Sequence, residues 1–167
     1  GAENWNVAHG AWDMTLDLIA PACDVARDAG ITLAVETGNG TMVNSCWTGR
    51  KLVDDLNAKD VLQVLWDPAN NCWCHERAWP DGYEVLRDGY CGHIHIKDVE
   101  VDTPRATLTV KRLGEGQLAD QFEPVAGALR EDAYDGVISL ESVFHPGNGD
   151  FEAGFRLCVE RFKAIFG

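Results

Sequence analysis

Polar and apolar side chains alternate in four short runs, and each run carries an ionisable group at or near its end. In residues 31–36, Ile31, Leu33 and Val35 share one phase, with Thr32, Ala34 and Glu36 in the other. In 62–67, Leu62, Val64 and Trp66 oppose Gln63, Leu65 and Asp67. His93, His95 and Lys97 alternate with Ile94 and Ile96, and Val137, Ser139 and Glu141 with Ile138 and Leu140. A strand has a side-chain period of two, so each run predicts one face that packs on helices and one that carries polar groups. Between the runs the period lengthens. Met14, Leu18, Ile19, Ala22, Val25 and Ala26 recur at helical spacing over 11–29 and stop at Gly30, with Pro21 expected to kink or divide the segment. Further helices are predicted over 48–56, 83–88, 118–131 and 151–166. A short extra strand is expected around 106–110. Thr37 to Thr41 and Leu113 to Gly116 read as turns.

The order is a helix followed by four β/α units, which predicts an α/β fold with a parallel sheet of the (β/α) barrel type. In such barrels the active site lies at the C-terminal ends of the strands. Glu36, Asp67, His95 and Glu141 then converge. The first three are spaced by about 30 residues, the length of one β/α unit, and the longer gap to Glu141 holds the segment from Val99 to Gly116. Three carboxylates cannot share a small space ionised without a cation. Mostly hard oxygen donors with one imidazole suit one divalent ion, Mn2+ first, with Mg2+, Co2+ or Zn2+ as substitutes. Lys97 continues the inward phase and is expected to meet a substrate oxygen or to pair with a loop acid. Asp98 points the other way and reads as structural, and Glu115 as a turn residue.

Composition narrows the function classes. The chain has 167 residues, 46% of them apolar, enough for one domain with a core. Its 27 acidic against 14 basic residues give a net charge of −13, which argues against nucleic acid or an anionic membrane as partner. No run reaches the ~20 apolar residues of a membrane span, and the N-terminus lacks the pattern of a signal peptide, so a cytoplasmic location is expected. The chain opens Gly-Ala-Glu-Asn without an initiator Met, as expected of a processed or cut polypeptide. Its 6 cysteines are scattered and expected to stay reduced. Cys72-Trp73-Cys74-His75 has the wrong spacing for a structural zinc site.

Taken in order, Val35 to Thr41, Trp66-Asp67-Pro68-Ala69-Asn70, His93 to Asp98, Gly114-Glu115-Gly116 and Tyr134 through Glu141 resemble the xylose isomerase-like TIM barrels. More narrowly they resemble the sugar (phosphate) isomerase and epimerase branch. The resemblance implies that Glu36, Asp67, His95 and Glu141 hold the metal, with Glu36 and Glu141 catalytic. Asn70, His93 and Lys97 are the expected substrate-binding residues, His93 lying one layer deeper than His95. It implies a metal-dependent isomerase or epimerase of a small sugar or sugar phosphate, working by proton transfer through a metal-bound enediolate. An inosose-type dehydratase would use the same ligands, and a catalytically incomplete half-barrel is the remaining alternative. Free-ketose 3-epimerases tend to carry an Arg soon after the His strand. Val99-Glu100-Val101 stands there, which points away from a free ketose. The apurinic-endonuclease branch needs more than the 5 His present, and a basic groove. The family's barrels have eight strands and four are visible. The match is therefore to the C-terminal half, and the chain is expected to have an N-terminal half elsewhere or to form a homodimer.

Overall fold

A computed structural model describes residues 10–147 and 149–167, so the opening Gly-Ala-Glu-Asn lies outside the described residues. The chain begins with α1 (Ala11–Ala29), which ends at Gly30 in the left-handed region with φ 66°. Pro21 does not divide this helix. It lies on the exposed side, where the carbonyl four residues earlier, on exposed Asp17, can face water. β1 (Leu33–Glu36), α2 (Cys46–Asp55), β2 (Leu62–Trp66), α3 (Pro68–Asn71), α4 (Tyr83–Leu86) and β3 (Cys91–Ile96) follow. After the hairpin β4 (Asp98–Asp102) and β5 (Thr107–Lys111) come α5 (Phe122–Glu131), β6 (Val137–Leu140) and α6 (Phe151–Phe166).

The four predicted strands form one parallel sheet in the order β1-β2-β3-β6. Their apolar phase is the covered face: Leu62, Val64, Trp66, Ile94 and Ile96 are all buried beneath the helices. The polar phase is open, leaving Ala34 exposed and Val137 57% exposed. The sheet is a section of an α/β barrel and is not closed. β1 and β6 are its two edges. No helix among the described residues is long and apolar enough to cross a membrane.

Two further segments in the second half of the chain differ from the sequence-based expectation. The strand expected around 106–110 is one arm of an antiparallel hairpin, whose other arm is β4, with Asp98 opposite Lys111 and Asp102 opposite Thr107. The fourth helix starts at Phe122 rather than near 118, because the Leu118 amide donates to the Asp98 carboxylate and 118–121 form a turn.

Close approach fixes one position on α6. A β-carbon at Gly154 would overlap the carbonyl of Phe144, in the segment that follows Glu141. Gly154→Ala is expected to destabilise the fold by about 1–3 kcal/mol through overpacking. Thermal unfolding checks this, and an unchanged melting temperature would mean that the segment carrying Glu141 yields freely.

Candidate metal centre

Each strand of the main sheet delivers one donor from its C-terminal end. Glu36 closes β1 and His95 stands on β3. Asp67 follows β2 and Glu141 follows β6, its amide still donating to the Ile96 carbonyl at 3.0 Å in the sheet ladder. One ligand atom from each of the four lies within 4.8 Å of the others, and no second group of His, Cys, Asp or Glu does so among the described residues. The Cys72–Cys74 stretch is a single 3-10 turn, and all six cysteines are free.

Asp67 is fully buried and divides its two oxygens. Oδ1 caps α3, accepting from the amides of Ala69 at 3.0 Å and Asn70 at 3.1 Å. Oδ2 faces the site and takes Lys97 Nζ at 2.5 Å. The same ammonium reaches Glu141 Oε2 at 2.5 Å. Lys97 therefore pairs with the candidate ligands themselves rather than with an outlying loop acid. Burial raises the Asp67 carboxyl above its ordinary range, with Lys97 pulling it back. Burial also works to discharge Lys97, but Asp67 and Glu141 outweigh it and hold the ammonium above its usual value. At Glu141 burial raises the carboxyl, yet Lys97 more than offsets this and leaves it lowered.

His95 supplies the test of whether these residues fit a cation. Its Nδ1 is buried without a hydrogen-bond partner, 3.4 Å from Glu36 Oε1 and 3.8 Å from Glu141 Oε2. A buried polar atom without a partner is costly, and an imidazole nitrogen facing two carboxylates is satisfied by a metal ion between them. The donor set and this orphaned nitrogen both fit a hard divalent cation.

The remaining predicted residues touch the four donors. His93 lies deeper, with Nε2 2.7 Å from Ser139 Oγ and its ring edge-on to His95 at 4.9 Å. Its pKa is lowered by burial first, then by His95, against an opposing pull from Glu36. Asn70 Nδ2 donates to the Thr37 carbonyl at 3.0 Å and approaches Glu36 Oε1 at 3.5 Å. Sequence reasoning missed Thr37, which it placed in a turn-rich loop. Thr37 is fully buried, and its Oγ1 accepts from the Asp67 amide at 3.0 Å, tying the ends of β1 and β2 together. Asp98 proves structural as expected, and Glu115 is a turn residue paired with Arg112.

Known proteins extend the picture. A family model described as xylose isomerase-like TIM barrel matches residues 1–161. Among solved structures, an L-ribulose 3-epimerase superposes with a TM-score of 0.72 at 18% identity, covering 99% of this chain and 57% of the other. A 3-keto-D-glucoside 4-epimerase from E. coli gives 0.63 at 22% identity, covering 93% and 57%. A xylose isomerase-like TIM barrel protein from Mycobacterium smegmatis, in complex with magnesium, gives 0.66 at 16% identity, covering 99% and 55%. The chain thus spans a little over half of the length of these structures, and at such identities the likeness speaks for the fold. No curated protein matches the sequence.

Proposed function

Because the chain belongs to the xylose isomerase-like TIM barrel family, we propose that it is the metal-binding half of a sugar isomerase or epimerase acting on a small sugar or sugar phosphate. The observation that carries this reading is the convergence of Glu36, Asp67, His95 and Glu141 around an unsatisfied His95 Nδ1. These four residues would hold one divalent ion, Mn2+ or Mg2+. When bound, the ion supplies a Lewis acid that polarises a substrate carbonyl and acidifies the neighbouring C–H.

Glu36 closes one edge strand of the sheet and Glu141 follows the other, so the two would flank the site from opposite sides. One removes the proton from the carbon beside the carbonyl. Return of a proton from the other, on the opposite face, inverts that carbon and gives epimerisation. Return by the same carboxylate to the former carbonyl carbon, with the hydroxyl proton passing to the former carbonyl oxygen, gives aldose–ketose isomerisation. Asn70 and Lys97, both in contact with the donors, would meet substrate hydroxyls, and His93 would keep His95 in orientation through its edge-on ring contact.

A second feature supports a half-barrel that is completed by further β/α units. In addition to the open inner face of the sheet, α1 exposes Met14, Leu18 and Val25, and α6 exposes Phe151 and Phe155. Exposed apolar stripes and unpaired parallel edges invite partners of the same architecture. The covering units come from the same polypeptide or from a second copy of this chain.

The test uses the intact polypeptide carrying this chain, loaded with Mn2+ and incubated in D2O with a panel of sugars, polyols and their phosphates. NMR should show exchange of one α-proton and inversion or isomerisation, both abolished by a chelator. Water loss without exchange into recovered substrate would replace the isomerase by a dehydratase. Turnover indifferent to chelation would overturn the metal-dependent reading.

A further inference from the structure

We propose that Lys97 is a positioning residue that competes with the metal ion for Asp67 Oδ2 and Glu141 Oε2, and so sets how tightly the site holds its cation. The inference rests on the metal-site reading above and adds an occupant to it. Lys97 Nζ is 2.5 Å from each of these two oxygens, and its side chain is only 13% exposed. Asp67 has no other oxygen to give. Its Oδ1 is committed to the Ala69 and Asn70 amides, so Oδ2 is the atom that either cation must use. Glu141 presents the same oxygen, Oε2, to Lys97 and towards His95 Nδ1.

Two cations bridging the same pair of oxygens would stand within about 4 Å of each other, where repulsion in a partly dry site is strong. A metal ion held by Asp67 and Glu141 would therefore compete with the ammonium for these two oxygens. Lys97 leaves β3 two residues beyond His95, so a displaced ammonium would remain tethered beside the ion. Charge bookkeeping favours this exchange over permanent sharing. The ammonium offsets one of three carboxylate charges, and a divalent ion offsets the other two. A loaded site would then be neutral, with Lys97 both restraining metal uptake and completing the neutralisation.

Calorimetric titration of Mn2+ into the intact protein and into K97M and K97Q tests the proposal. Removing the competing charge is expected to tighten Mn2+ binding about tenfold or more in both variants. K97R keeps the charge and is expected to stay within about threefold of the parent. A purely structural lysine predicts the opposite, since its loss would loosen the ligands and weaken binding. Thermal unfolding gives a second readout. The rise in melting temperature on adding Mn2+ should be larger in K97M or K97Q than in the parent, as tighter binding to the folded state demands. K97Q retains a polar head and serves if K97M does not fold. Unchanged or weaker affinity in the neutral variants, with normal uptake by the parent, overturns this proposal alone. Absence of Mn2+ uptake by the parent overturns the metal-site reading and this proposal with it.

Discussion

Glutamine in place of Glu141 is expected to lower the rate of α-proton exchange by about 10³–10⁴-fold while leaving the fold nearly intact. The lost term is general base catalysis, worth about 10²–10⁴-fold, plus the weaker hold of an amide on a cation. Glu141 suits the role because it follows one edge strand of the sheet and presents Oε2 to the site, across from Glu36 on the other edge. The substitution conserves size, and the Glu141 amide keeps its bond to the Ile96 carbonyl, so strand β6 has no reason to move. Exchange followed by NMR in D2O and melting temperature measured on the same sample separate chemistry from stability. Exchange within tenfold of the parent would remove Glu141 from the reacting groups and leave Glu36 as the base.

The largest effect on stability is expected at Asp98. Its carboxylate, 1% exposed, accepts from the amides of Val99 at 2.9 Å, Gly114 at 3.0 Å, Gly116 at 2.8 Å and Leu118 at 3.1 Å. The carboxylate lies so close to Gly116 that a β-carbon there would overlap it, which explains the glycine. Hydrogen bonds to a charged group are worth about 1.5–3 kcal/mol each, and donors left buried without partners cost more than bonds never made. Asp98→Ala is expected to destabilise the protein by about 3–5 kcal/mol and to lower the melting temperature on the order of 10 °C. Asp98→Asn, which keeps one acceptor oxygen, should lose roughly half as much. If the alanine variant melts with the parent, the loop from 112 to 118 is held by something other than this carboxylate.

The four strands of the sheet were legible because alternation with branched aliphatics on one side survives in each run, and helices cover that side. Their ends were less so: β1 begins at Leu33, where pairing with Leu62 starts, and not at Ile31, which is 55% exposed. The hairpin was half seen. Asp98–Asp102 alternates again, but with Val99 and Val101 in the opposite phase to Ile94 and Ile96; the only mark of the change of sheet is the adjacent polar pair Lys97-Asp98, with no turn residue to announce it. At the site, phase alone put Lys97 on the inner face. Its partners depend on where Asp67 and Glu141 stop beyond β2 and β6, which is set by register and not by composition. Thr37 has no signature at all, since a threonine in a turn-rich stretch looks the same whether it is solvated or bridges two strand ends.

The two oxygens of Asp67 answer to different demands, one to helix α3 and one to the cation site. A descendant that abandoned catalysis would still need the cap, worth about 1 kcal/mol. Selection for folding alone would therefore preserve an aspartate there long after the chemistry had gone. His95 and Glu36 have no such second employment. The His95 Nδ1 makes no hydrogen bond, and the Glu36 side chain is 44% exposed and, among the described residues, approached by Asn70 and His95. Among relatives of this chain, the aspartate should thus be a poor marker of a working enzyme. The pair His95 and Glu36 should be the first to drift in a pseudoenzyme, and their joint presence the better sign of activity.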